Sequence, residues 1–153
     1  MGIPLSTVTE VYDAVAAKVG SLLPGFSRIP NPYAVDENTA LLLKKGYGVA
    51  VGEGVNTKRY VGCISTWRRT FNIGIVHQVI NTENDTEGKA RVEKTVLEVQ
   101  DTLLLGFERD PTLGGVVVKA EVESDSGVQY TAGDQGKFLA LEISLEVEYQ
   151  SET

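Results

Sequence analysis

Residues 138–150 read FLALEISLEVEYQ. Leu139, Leu141, Ile143, Leu145, Val147 and Tyr149 take every second position, and Phe138, Ala140, Glu142, Ser144, Glu146 and Glu148 fall between them. Side chains alternate faces along a strand, so this segment is a strand with one apolar face and one that turns acidic. At ~3.3 Å per residue it spans roughly 40 Å, longer than most strands of small domains. Such a strand either bends or pairs beyond its own domain. Its three glutamates also need cations opposite them, from the same chain or from a second copy.

The rest of the chain is read around that strand. Thr7 to Glu10 forms a capping box ahead of a helix over 7–22, with Val8, Tyr12, Val15, Val19 and Leu22 on one stripe. Pro24-Gly25 ends it, and SRIPNPYAVDEN is a loop. A strand follows over 38–51, in which Gly46 and Gly48 mark a bulge or a close backbone approach. Gly52, Glu53, Gly54, Lys58 and Arg59 belong to a flexible loop, and 60–64 is a short strand or an extended arm. TWRRTFNIGIVHQVI alternates again. Trp67, Arg69, Phe71, Ile73, Ile75, His77 and Val79 form its core face, and Arg68, Thr70, Asn72 and Gly74 its other face.

A second helix carries Val92, Val96, Val99 and Leu103, widened by Leu97 and Leu104, and ends before Gly106. VVVKAEVESD is a strand, SGVQYTAGDQG a turn or hairpin tip, and the final strand closes the chain. The order helix, strand, strand, helix, strand, strand predicts an α+β fold. It is a mostly antiparallel β-sheet with two helices packed on one face, in a single domain over 1–153.

The side-chain inventory offers little chemistry. His77 is the only histidine and Cys63 the only cysteine, and neither lies near a nucleophile elbow or an oxyanion loop. There is no H-x-x-x-H, C-x-x-C, Walker loop or G-x-G-x-x-G. Glu121, Glu123, Asp125 and Asp134 read as a solvated strand edge more readily than as a metal site. The expectation is therefore no enzyme, no metal and no cofactor. Asp+Glu outnumber Lys+Arg by 21 to 14, a net charge of −7, so the chain does not resemble a binder of phosphate backbones. No apolar run is long enough for a membrane span, and a lone cysteine suits a reducing compartment. Trp67, Arg68 and Arg69 form the densest recognition cluster, either against a partner or paired with the glutamates of their own domain.

The segments ALLLKKGYGVAVGEGVNT, TWRRTFNIGIVHQVI, KARVEKTVLEVQDTLLLG and DQGKFLALEISLEVEYQ, in that order and at this size, resemble the tail terminator proteins of long-tailed (siphovirus-type) bacteriophages, the lambda tail terminator type. The resemblance spans about residues 7–149 and rests on element order rather than on a diagnostic residue. It implies a structural virion protein at the head-proximal end of the tail, assembled in the host bacterial cytoplasm. Such proteins form hexameric rings that cap the tail tube, stop tail polymerisation and provide the head-attachment interface. The implied partners are other copies of itself, the major tail tube protein and a head-completion or connector protein. DNA would pass through the lumen without specific binding, since six copies carry 6 × −7 = −42. By position, Trp67, Arg68 and Arg69 would meet Glu142, Glu146 and Glu148 of a neighbouring subunit, and the flexible loop from Gly52 to Arg59 would be a partner-binding loop that orders on the tube or connector, with Lys58 and Arg59 against an acidic surface. The rival readings are a head–tail joining or tail-completion ring protein, and a monomeric non-catalytic ligand-binding domain.

Overall fold

A computed structural model describes residues 4–28, 45–60, 64–79, 85–133 and 136–152. Helix α1 runs Val8–Leu22, behind the expected capping box. The Glu10 N–H donates to Thr7 Oγ1 at 3.1 Å, and the Thr7 N–H donates to Glu10 Oε1 at 3.2 Å. Val11, Val15, Ala16 and Val19 are buried, while Val8 is exposed. The two-residue strand β1 (Ser27–Arg28) follows, within what the sequence presents as loop. Strands β2 (Lys45–Tyr60) and β3 (Ile64–Val79) form a long antiparallel pair, and helix α2 covers Asp85–Arg109. Strands β4 (Lys119–Asp125), β5 (Gln129–Gly133) and β6 (Gly136–Glu152) complete the chain.

These strands make one six-stranded sheet in the order β1-β2-β3-β6-β4, with β5 also on β6. Every named pair is antiparallel except β1 with β2. The fold is thus α+β, a mostly antiparallel sheet with both helices packed on one face. The predicted parity holds along β6: Leu139, Leu141, Ile143, Leu145, Val147 and Tyr149 are all buried. Their neighbours in the core are Tyr47, Val49, Phe71, Ile73 and Ile75 of the sheet, Val15 and Val19 of α1, and Val92, Val96, Leu103 and Phe107 of α2. Fully burying one such side chain contributes about 1.5–3 kcal/mol, so register errors are costly. Phe138 is buried too, outside that cluster.

The long β6 needs no foreign strand. Its pairing with β3 runs from Lys137 opposite Val79 to Glu152 opposite Ile64. On its other side, β5 takes residues 136–140 and β4 takes 143–148. Leu5 bridges Gln150, and the Ser6 N–H donates to the Gln150 carbonyl at 2.8 Å.

Residues Gly52, Glu53, Gly54, Lys58 and Arg59, expected in a flexible loop, are instead part of β2. The ladder continues through them with register shifts between Val51 and Gly54 and between Asn56 and Lys58. The glycines serve close approach rather than mobility. A Cβ at Gly52 would sit 2.7 Å from the Thr70 carbonyl oxygen, and one at Gly54 would sit 2.5 Å from Arg69 Cζ. Gly106 likewise lies inside α2, not past its end, and a Cβ there would run into the Leu22 methyls of α1. The strand expected from Val116 begins at Lys119, because the chain turns through Leu113, Gly114 and Gly115 at positive φ. The expected tip over 126–136 contains β5.

Gly52→Ala should cost about 1–3 kcal/mol, because the new methyl meets backbone that cannot move without breaking the ladder. Gly74→Ala, where nothing lies within 4 Å of the added Cβ, should be neutral or stabilising by up to about 1 kcal/mol. Chemical unfolding of both variants measures the contrast; equal effects would take residues 52–54 out of the ladder.

Candidate interaction surface

The sheet has two faces with different fates. Two adjacent arginines show the division. Arg69, on the helix side, donates from Nε to Tyr149 Oη at 3.2 Å and from Nη1 to the Gly52 carbonyl at 3.1 Å. Its guanidinium lies 5.9 Å from the centre of the Trp67 ring, close enough for a cation–π contact. Trp67 itself is half-buried against the core. Arg69 therefore fastens the first irregularity of β2 to the end of β6, and both residues serve the fold.

Arg68 points to the opposite face, which none of the described helices covers. Its Nε lies 3.0 Å from Glu146 Oε1 of the same chain. The expected contact between Arg68 and a neighbour's glutamate is thus already made internally. It relieves the crowding there only in part. Glu121 stands opposite Glu146 in the ladder. The Glu146 carboxyl is held above the ordinary glutamate value, chiefly by a hydrogen bond with the Glu123 carboxyl, then by burial and the Glu123 charge, with Arg68 pulling the other way. Lys119, the other cation there, lies 3.1 Å from Glu121. Further along, Glu142 sits opposite Gly74 and lines a shallow trough of about 320 Å³ with Gly48, Ala50, Asn72 and Ala140. Glu148 lies opposite both Arg68 and Lys119.

Beyond the core, the β2–β3 pair carries Val55, Lys58 and Arg59, all exposed. Val55 is 56% exposed, more than any other large apolar side chain described. Neither Lys58 nor Arg59 forms an ion pair among the described residues.

A second feature lies at the β4 edge, where the sequence pattern misleads. Leu97 and Leu104, expected to widen the core stripe of α2, are 44% and 36% exposed. The sheet beneath them ends at the short β4, so that flank of the helix finds no strand to cover it among the described residues. Between α2 and β4 runs a groove of about 520 Å³, floored by Leu104, Phe107, Pro111, Ala120 and Val122, with Glu108, Glu121 and the Lys119 that pairs with Glu121 at its sides. No periodicity marks this groove, since it depends on where the sheet stops.

His77 is buried, with Nδ1 2.8 Å from the Gln78 carbonyl, which can only accept. Burial first, and the charges of Lys45 and Arg91, hold its pKa below the usual histidine value. Cys63 and Asp134 lie outside the described residues. Among the described residues no three His, Cys, Asp or Glu side chains are grouped to hold a metal ion, and no helix is long and apolar enough to cross a membrane.

A carboxyl whose folded pKa is raised stabilises the fold below its unfolded value, and that contribution is lost as pH rises through the folded value. Glu123→Gln removes the largest cause at Glu146. It should therefore raise stability at about pH 7 by a few tenths to about 1 kcal/mol, with little change at about pH 4. Melting temperatures of the two proteins across that range check it; a pH-independent difference would mean the carboxyls do not interact.

No protein-family model matches the chain, and no curated protein matches it.

Proposed function

We propose that this chain is a structural protein that joins copies of itself head to tail into a ring, in the manner of tail terminators of long-tailed phages. In that role the ring, of six subunits, caps the tail tube, stops addition of tail tube protein and presents its other side to the head connector. The observation that carries the reading is the one-sided sheet. Among the described residues, helices cover the strands of 16, 16 and 17 residues on one face only, and the far end of the β2–β3 pair carries exposed cations. A subunit with different surfaces at its two ends suits a heterologous contact, which closes into a ring when the rotation per copy divides a full turn. The net charge of −7 suits a lumen that DNA crosses without being held.

Arg68 and Arg69 do not serve as subunit contacts in this reading, because Glu146, Tyr149 and Gly52 of the same chain occupy them. Solution mass by light scattering, across concentration and salt, tests the proposal. A mass near six copies is expected. A single copy at every concentration would favour the monomeric ligand-binding domain instead.

A further inference from the structure

We infer that the cationic end of the β2–β3 pair of one copy seats in the groove along β4 of the next copy. There Lys58 and Arg59 meet the acidic sides of that groove and Val55 meets its apolar floor. The inference rests on the ring reading for the presence of a second copy, and it names the two surfaces that meet.

Charge is segregated along this chain. Residues 54–69 contain four cations, Lys58, Arg59, Arg68 and Arg69, and no carboxylate, within a protein of net charge −7. Arg68 and Arg69 are engaged within the chain. Lys58 and Arg59 are exposed, with no carboxylate partner among the described residues. Residues 97–125 hold seven carboxylates against two cations. They supply the carboxylates of the groove, Glu108 from α2 and Glu121, paired with Lys119, from β4, and Glu123 lies two residues further along the same strand. Glu121 stands opposite Glu146 in the ladder, so carboxylates already crowd this edge. An incoming cation would relieve that crowding, as Arg68 does in part.

The floor supplies the apolar half of the contact. Leu104 and Val122 line the groove, and Leu97 is exposed on the same helix one heptad earlier. The matching apolar group on the other surface is Val55, three residues before Lys58.

The same charges exclude the symmetrical alternative. Two β4 edges brought together would oppose Glu121 and Glu123 to their own copies, and two β2–β3 ends would oppose Lys58 and Arg59 to theirs. Charged edge strands repel copies of themselves. Each surface accepts only the other, so the contact is heterologous and leads to a ring or an open helix rather than a twofold dimer.

The test uses two full-length variants. One carries Lys58→Glu and Arg59→Glu; the other carries Glu121→Lys and Glu123→Lys. All four positions are exposed, so both variants should melt close to the parent. Each variant alone should need at least about tenfold more protein than the parent to assemble, as read by sedimentation at about 0.15 M salt. An equimolar mixture should recover assembly, because each reversed surface then finds its complement on the other variant. Variants that assemble like the parent would overturn the assignment of surfaces and leave the ring reading standing. Loss of assembly that mixing does not restore would also overturn it. A parent that never assembles would reject the ring reading and this inference with it.

Discussion

The pairing of β6 with β3 is the constraint on which the rest of this molecule depends. It runs from Val79 opposite Lys137 to Ile64 opposite Glu152, and the alternation of both strands decides which side chains see the helices. A slip of one residue would send Ile143 and Leu145, both fully buried, into water and bring Glu146 into the core. Neither face could absorb that. Because the register is fixed so firmly, neighbouring residues have opposite roles. Arg69 turns inward and holds β2 to β6, while Arg68 turns outward and meets Glu146.

The same ladder explains how a glycine-containing segment extends past the core and keeps its shape. Two irregularities let β2 accommodate extra residues, and such features bend a strand and increase its twist. Arg69 fastens the first of them by donating to the Gly52 carbonyl, with Gly54 leaving room for the guanidinium. A strand pair held this way loses less conformational freedom when it meets a partner than a loop would. On the ring reading, Lys58 and Arg59 are presented by a preformed strand pair.

Much of the fold was legible because period-2 alternation and helix capping are local signals. The parity of β3 and β6, the Thr7–Glu10 box and the stripe Val92, Val96, Val99 and Leu103 all follow from residues close in sequence. What escaped depends on distant partners. Gly52 and Gly54 look like loop glycines until Thr70 and Arg69 are placed over them. Gly106 has the appearance of a helix stop until Leu22 of α1 is seen to pack on it. Leu97 and Leu104 look like core until the sheet ends before reaching them. The Arg68–Glu146 pair shows the limit most clearly for the candidate surface. Sequence alone left its glutamate equally open to the same chain or to a neighbour, and only the β3–β6 register puts the two side chains together.

Charge patterning then links the fold to assembly. Copies with a net charge of −7 repel one another at long range, so association cannot rest on overall charge. At physiological ionic strength, however, screening acts over about 8 Å, which weakens that repulsion while sparing pairs in direct contact. A segment over 54–69 that holds four cations and no carboxylate of its own, and a groove with carboxylates at the opposite edge of the sheet, are suited to this division of ranges. On the ring reading, the −7 keeps unassembled copies apart and leaves DNA in the lumen unheld. The inferred contact, with Val55 on an apolar floor, would supply attraction only in one orientation. A uniformly charged surface of the same net value would give the repulsion without the orientation, and orientation is what a ring requires.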